Sequence, residues 1–503
     1  MKNIIKILLL TVVISITSVS CELNKYPFNA IEQPQAFMTM KDAGSFNNGL
    51  YSSLRGVVYG IYMFSTDIQA DLLNATLDYG NRNGFAHKWT SLLADDYTIR
   101  DTWRYQYNTI ANINKVVDNM GKIPIANATE QATMDKYMGE AYLMRAYLYH
   151  QLVQRFAKDY EPATASTDLG VPLVLTYDLF NDLFNKPSRA TVAEIYQQIL
   201  ADLGQAGTLL SSAPGAQNSP KITSDCVLAL KARVYLCMHD WTNATAAANS
   251  LITSGTYPLI TTAAAYKSMW ATDGGTETIL QLAAIQPSEL GNANNVYLGL
   301  NPQTGRFTPD YVPEQWVVDM YPAGDIRKAA YLEQKTVYVM GTVYSNFWLI
   351  NKYPGNPALF TAASTNYMHK PKIFRIAEVY LISAEAAAQT PATEAAALTT
   401  LNLLRTARGE VALAGLTGSA LMDAIRAERT RELLCEGFRL DDLKRWKLGF
   451  SRSAPQNLAL IITGPDFNQK VVAPDDDKFV WGIPANDMTT NPSLIGQQNP
   501  GWY

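Results

Sequence analysis

Histidine and cysteine are scarce in this 503-residue chain, with four of each. His87, His150, His239 and His369 stand apart from one another, and although His239 follows Cys237 by two residues, no zinc-type Cys/His spacing occurs. A disulfide framework is excluded as well. Cys226 and Cys237 fall on the same face of one predicted helix, but eleven residues at about 1.5 Å each put them some 16 Å apart, too far to bridge. Excess positive charge is missing too: 41 Lys and Arg stand against 45 Asp and Glu. Nucleic acid, which requires a basic surface, is therefore not an expected partner. Beyond the first twenty residues no apolar run is long enough to span a bilayer.

Catalytic signatures are also absent. Asp95-Asp96 and the run Asp475 to Asp477 are the obvious carboxylate pairs for glycoside hydrolysis. Adjacent residues rarely face one substrate, and nothing identifies a second acid. The run Asp475 to Asp477 also lacks the alternating oxygen ligands and glycine of a calcium loop, so it reads as a solvated turn. No cofactor is indicated, and a structural calcium has no motif to support it.

What the chain does have is apolar material, 48% of its residues, and a surplus of flat rings, 28 Tyr and 9 Trp. At the N-terminus Lys2 and Lys6 precede the apolar run Ile7 to Ile14, and small polar residues lead to Ser20-Cys21. This reads as a secretory leader over residues 1–20, and removing its two lysines leaves a net charge of −6. Cys21 follows Ser18-Val19-Ser20 and resembles a bacterial lipoprotein processing site, where a diacylglyceryl group is attached to the thiol. The pattern usually has Leu where Ser18 stands, so an ordinary cleaved leader with an incidental cysteine is the alternative. Lipidation of Cys21 leaves three cysteines, an odd number for an exported protein, and all three read as small core residues.

Helical periodicity dominates the rest. Phe37 to Val57 carries Ala43, Phe46, Leu50 and Leu54 on one stripe. Trp103, Tyr107, Ile110, Ile113 and Val117 make a second, closed near Gly121. Met134 to Phe156, Thr191 to Leu210, Thr223 to Met238 and Ala244 to Ser254 follow. Thr191 with Glu194 forms a capping box and Gly255 ends the last. Large rings against small residues in successive antiparallel pairs suit a tetratricopeptide-like array.

From Lys372 onward the spacing predicts a helical hairpin, Ile373 to Ala387 and Leu398 to Arg408, then a third helix over about Gly418 to Glu436. On that helix Leu421, Ala424, Ile425, Glu428, Glu432 and Cys435 share a face, which places two carboxylates within an apolar stripe. They are either an acid/base pair or the centre of an internal ion-pair network. The network is favoured, with Arg405, Arg408, Arg431 and Arg439 as candidate partners.

These segments carry a resemblance. Arg375-Ile376-Ala377-Glu378-Val379-Tyr380-Leu381, Leu401-Asn402-Leu403-Leu404-Arg405, Glu428-Arg429-Thr430-Arg431-Glu432-Leu433 and Glu436 to Trp446 are similar to the C-terminal signature of the SusD/RagB family. Trp103 to Asn114, Gly139 to Leu152, Gly170 to Leu173, Arg189 to Tyr196, Leu230 to Leu236, Ser254 to Leu259, Ile483-Pro484 and Asn499 to Tyr503 resemble its remaining motifs in the family's order. The resemblance implies a mainly α fold, a tetratricopeptide-like (TPR) helical-repeat scaffold with long irregular aromatic-rich insertions. It divides the mature chain into a part at 21–265 and a part at 266–503, the latter comprising an irregular insertion at 266–370, the hairpin at 372–448 and a tail. It also implies an outer-membrane lipoprotein at the cell surface that captures nutrients and passes them to a SusC-type TonB-dependent transporter.

Two stretches refuse the helical period, Tyr59 to Arg100 and Tyr266 to Lys370, and loops of that length are usually functional. Both mix rings with amides, carboxylates and Arg. A pyranose stacks its C–H face on a ring and bonds its hydroxyls to such groups. In the family the ligand surface is built from these two regions. The resemblance therefore nominates Asp78, Tyr79, Arg82 and Trp89 from the first, and Tyr297, Phe307 and Tyr311 from the second. Trp103, Trp241, Trp316 and Trp446 read as packing, and Phe347-Trp348 as part of a strand. The expected function is non-catalytic capture of oligosaccharide, with peptide delivery as an alternative and glycoside hydrolysis as a remote one.

Overall fold

The computed structural model describes residues 36–177, 186–285, 289, 295–361, 365 and 367–502. The leader and Cys21 lie outside the described residues. The scaffold is a succession of antiparallel helices, Met40–Val58, Tyr97–Met120, Ala128–Phe156, Val192–Leu209, Ser224–Cys237 and Trp241–Ser254. Each periodic stripe predicted above is one of them. Thr191 and Glu194 make the expected capping box, Thr39 and Asp42 make another, and Gly255 terminates its helix in the left-handed conformation. Helix Ala128–Phe156 packs along Val192–Leu209, and Ser224–Cys237 along Trp241–Ser254. Gly139 permits the first approach, because a Cβ there would lie 2.7 Å from Leu210 Cγ.

The C-terminal helices Ile376–Ala387, Glu394–Ala407 and Gly418–Glu432 close the stack, the first lying against Trp241–Ser254. The hairpin differs from expectation at its start. Lys372–Arg375 is a strand, paired antiparallel with Thr278–Gln281, and the helix begins only at Ile376. The third helix ends at Glu432, and the chain then turns through Cys435 and Gly437, both at positive φ. Gly437 is required there, since a Cβ would lie 2.7 Å from the Met63 carbonyl oxygen. Cys226, Cys237 and Cys435 are free and buried.

Glu428 and Glu432 are fully buried and form the centre of an ion-pair network. Glu432 meets Arg408 at 2.9 Å, Arg375 at 3.0 Å and Arg327 at 3.2 Å. Glu428 meets Arg327 at 2.6 Å, Arg431 at 2.7 Å and Arg405 at 2.9 Å. Burial alone would raise both carboxyls, but the surrounding guanidinium groups hold Glu428 below and Glu432 well below the ordinary range. Both are structural counter-ions. Arg439 is not a partner; it pairs with Asp71 at 2.7 Å instead. Arg327 and Arg375 join from outside the two helices, which helical spacing could not reveal.

Neither irregular stretch is a plain loop. The first folds into helix Ile61–Gln69, strand Leu73–Ala75 and the short helix Gly84–Lys88. The second contains helix Ala263–Ala271 and a four-stranded sheet. In that sheet Leu300–Asn301 pairs with Arg306–Phe307, which runs parallel to Leu332–Val339, which pairs antiparallel with Thr342–Ile350. Phe347 and Trp348 are in its last strand, as expected. The two stretches join through an antiparallel ladder, Leu73 to Pro313, Asn74 to Val312 and Ala75 to Tyr311.

Candidate ligand-binding face

The ladder sets one edge of an exposed face. Beyond its Ala75–Tyr311 end Arg82 and Asp310 form a bidentate ion pair in which the carboxylate is buried and the guanidinium side chain is 58% exposed. Burial pushes the Asp310 carboxyl up and Arg82 opposes that shift, while the carboxylate raises the Arg82 guanidinium in turn. The Tyr311 hydroxyl donates to the Arg82 carbonyl at 2.6 Å. Asp78 accepts from the Met340 backbone N–H at 2.7 Å and so ties the first segment to the tight turn between the two long strands. Met340 and Gly341 are both at positive φ, the conformation of a two-residue hairpin turn.

Around these groups lie side chains that are not folded away. Leu77, Tyr97, Met340, Val343 and Leu458 are exposed, and Tyr338 and Tyr344 are half-buried. The Tyr97 hydroxyl accepts from Asn83 N–H at 2.7 Å and donates to Asn83 Oδ1 at 2.9 Å, which holds the ring against the Asn81–Asn83 turn. The Tyr344 hydroxyl donates to the Ala459 carbonyl at 3.0 Å, and Leu77 N–H donates to Leu460. The Arg306 guanidinium sits 4.5 Å from the Tyr338 ring centre. The face thus offers fixed rings, a short apolar rim, the guanidinium groups of exposed Arg82 and Arg306, and the Asp78 carboxylate.

The nominated residues divide. Asp78 and Arg82 reach this face, and Phe307 is half-buried with the Lys335 ammonium 5.2 Å from its ring centre. Tyr79, Trp89, Tyr297 and Tyr311 are turned inward. Tyr79 packs edge-on against Tyr311 and Phe467. Trp89 takes a left-handed backbone at the end of its short helix, which swings the ring between Phe450 and Phe479, and its Nε1 donates to the Gln69 carbonyl at 2.6 Å. Tyr297 and Tyr311 have no exposed surface at all. These four bury large ring areas that support the face from behind rather than presenting rings to a ligand.

Tyr97, Tyr338, Met340 and Tyr344 were missed. Only Tyr338 carries a period-two signal, alternating with buried Val337 and Val339 along its strand; Met340 is in the turn that follows, and Tyr97 opens a helix. Of the four tryptophans assigned to packing, Trp103 and Trp446 are buried, while Trp241 and Trp316 are partly so. Among the described residues no group of three or more His, Cys, Asp or Glu side chains is arranged to hold a metal ion, and no helix is long and apolar enough to cross a membrane.

Comparison with known proteins places the chain. Residues 43–236 match a SusD-like family described as starch-binding and associating with the outer membrane, and residues 320–502 match the SusD family. A curated SusD-like protein of Formosa agariphila is 23% identical, over 94% of this chain and 95% of its own. Among solved structures, a SusD superfamily protein of Bacteroides thetaiotaomicron superposes with a TM-score of 0.78 at 23% identity, covering 92% of this chain and all of that one. The surface glycan-binding protein A of Bacteroides fluxus gives 0.69 at 21%, covering 92% and all of that chain. At these identities the structural matches establish the fold, which is the helical TPR-like one. The two family matches together span about three quarters of the length, and the chain belongs to the SusD/RagB family.

Proposed function

We propose that the protein captures oligosaccharides, without cleaving them, on the face that carries Asp78, Arg82, Phe307, Tyr97, Tyr338 and Tyr344. The observation that carries this reading is the pairing of exposed Arg82 with buried Asp310, which fixes a hydroxyl-binding guanidinium beside rings held by their own hydroxyl bonds. Rings so anchored lose little freedom when a sugar stacks on them, and a guanidinium donates readily to ring hydroxyls. The family's description as starch-binding and the glycan-binding relative favour sugar as the ligand.

Three of the carboxylates eligible for hydrolysis are engaged elsewhere in the fold, which supports a passive role. Asp96 caps helix Tyr97–Met120, and Asp95 accepts from the Ala485 N–H at 2.8 Å. Asp476 accepts from Lys478 N–H at 2.9 Å in a short 3-10 turn. In this reading residues 1–20 are the leader, Cys21 carries the lipid that anchors the chain at the outer-membrane surface, and the parts at 21–265 and 266–503 fold together as one binding body. Bound oligosaccharide is handed to a SusC-type TonB-dependent transporter.

Affinity electrophoresis in gels containing starch, laminarin and other glucans, mannans and xylans tests the reading. Retardation by at least one glycan, lost in Arg82→Ala and Tyr97→Ala, is expected. Retardation by none, with binding of peptides from a digest instead, would assign the delivery role to peptides. Release of reducing sugar would overturn passive capture.

A further inference from the structure

The exposed face has a third component that neither irregular stretch supplies. After strand Phe450–Ser451 the chain runs as an irregular strap, residues 453–462, past the outer strand Thr342–Ile350 and along the ladder strand Leu73–Ala75. Gln456 binds the outer strand as a neighbouring strand would. Its Oε1 accepts from the Trp348 N–H at 3.1 Å, and its Nε2 donates to the carbonyls of Trp348 at 3.1 Å and Pro313 at 2.9 Å. Further along, the Ala459 carbonyl receives the Tyr344 hydroxyl, the Leu460 carbonyl receives the Leu77 N–H, and the Ile462 N–H donates to Ala75 at 3.0 Å. Between these bonds Leu458 is 60% exposed. The strap is thin: Ser453, Ala454, Asn457, Leu458 and Ala459 are all exposed. A segment with so little buried surface depends on its individual bonds.

One carboxyl group holds the start of the strap. Glu314 Oε2 accepts from the Ser453 N–H and from its hydroxyl, each at 3.0 Å, and the Glu314 and Pro455 backbones form an antiparallel bridge. The Glu314 side chain is fully buried, and Oε1 has no hydrogen-bond partner among the described residues. Two charged groups face it, and both are committed elsewhere. Arg452 gives its guanidinium to the carbonyls of Ile68, Gln69, Ala70 and His87, and Asp71 is paired with Arg439. Burial is the main influence on the Glu314 carboxyl and raises it to about 7, with Asp71 adding to the rise and Ser453 and Arg452 opposing it.

A buried carboxylate with one bare oxygen is far costlier than the neutral acid. Ionisation of Glu314 therefore favours any movement that brings it water. Ser453 is exposed and bonded to it directly, so lifting the strap at Ser453 does this. We propose that Glu314 is a positioning residue for the exposed face, a clasp whose single proton decides whether the strap lies closed on the ladder and so whether Tyr344 and Leu458 are in place for a sugar. The sign follows from linkage. The closed strap retains a proton that the lifted one releases, so closure is favoured at low pH and weakens as pH rises through about 7. That the ligand is a sugar rests on the carbohydrate reading above; the clasp itself does not.

Hydrogen exchange read by mass spectrometry on the full chain at pH 6, 7 and 8.5, corrected for intrinsic rates, follows the clasp without any ligand. Peptides covering 453–462 and Leu77 should lose protection about tenfold between pH 6 and pH 8.5 in wild type and keep it in Glu314→Gln, with helix Tyr97–Met120 unchanged in both. Affinity for starch, laminarin or mannan on gels should fall by a similar factor in wild type and stay level in the variant. Flat protection in wild type overturns the proposal. So does a slope that survives in Glu314→Gln, which would belong to another buried acid such as Asp67. Loss of protection with affinity unchanged also overturns it, since the strap would then move without serving the face. Where Glu314→Gln does not fold, Asp67→Asn replaces it: the slope should persist there, and its disappearance overturns the assignment to Glu314. Retardation by none of the glycans at any pH is a failure of the capture reading, and exchange alone then decides whether Glu314 is the clasp.

Discussion

Arg82 and Asp310 are 228 positions apart and form one ion pair, its acid buried and its base in solvent. The pair clamps together the two irregular stretches next to the Leu73–Ala75 and Tyr311–Pro313 ladder. Arg82→Ala should abolish glycan retardation on affinity gels. The substitution also leaves the buried Asp310 carboxylate without its guanidinium, so thermal stability should fall as well, and retardation is compared at a temperature where the variant is folded. Asp310→Asn keeps the shape but removes the charge that orients Arg82, and an intermediate affinity is expected.

Trp89 makes the opposite case. Its ring is packed between Phe450 and Phe479 and its N–H is satisfied by Gln69. Trp89→Ala should destabilise the fold by about 3–5 kcal/mol, as large-to-small changes in a packed interior do. Chemical denaturation measures this, and the glycan affinity of the remaining folded fraction should match wild type. A specific loss of affinity at full stability would return Trp89 to the binding face.

Glu432 neutralises parts of three buried guanidinium groups. Glu432→Gln leaves Arg327, Arg375 and Arg408 short of counter-charge in a buried site, and removal of one buried partner typically costs about 3–5 kcal/mol. The carboxyl is held well below its ordinary range, so its stabilisation is present above the unfolded value near 4.5 and is lost as pH falls through the folded one. Wild type should therefore lose stability on acidification more steeply than the Gln variant.

Glu314 should behave in the reverse sense. It is fully buried, Ser453 donates twice to its Oε2, and Oε1 has no hydrogen-bond partner among the described residues. Burial raises its carboxyl to about 7. The folded protein thus retains a proton that the unfolded chain releases near 4.5, and the resulting stabilisation is complete at lower pH and lost as pH rises through about 7. Glu314→Gln mimics the protonated form and keeps the Ser453 bonds. Relative to wild type it should gain, on the order of 3 kcal/mol between pH 4 and pH 8. Equal slopes for the two proteins would show that Glu314 is charged throughout.

Cys21 is the point of attachment in the proposed anchoring. Cys21→Ser should move the protein from the membrane fraction to the soluble one and abolish labelling by a radioactive fatty acid. Persistence of label in the variant would place the lipid elsewhere.

Local spacing was enough to locate the scaffold helices, their caps and the apolar faces, because each depends on residues within a few positions of one another. The same holds for Glu428 and Glu432, whose place in an apolar stripe already demanded counter-charge. Arg327 and Arg375 could not be seen as partners, since they reach the network from a loop and from a strand that periodicity does not relate to it. Nor could the rings of the two stretches be sorted into exposed and buried. Trp89 and Tyr97 belong to the same irregular stretch, and a backbone turn at one and a hydroxyl bond at the other decide which ring faces water. Periodicity alone determined that two aromatic-rich stretches interrupt a helical stack. Only the tertiary structure decided which of their rings remain at the surface, because burial is settled by which distant segments come to pack against each ring.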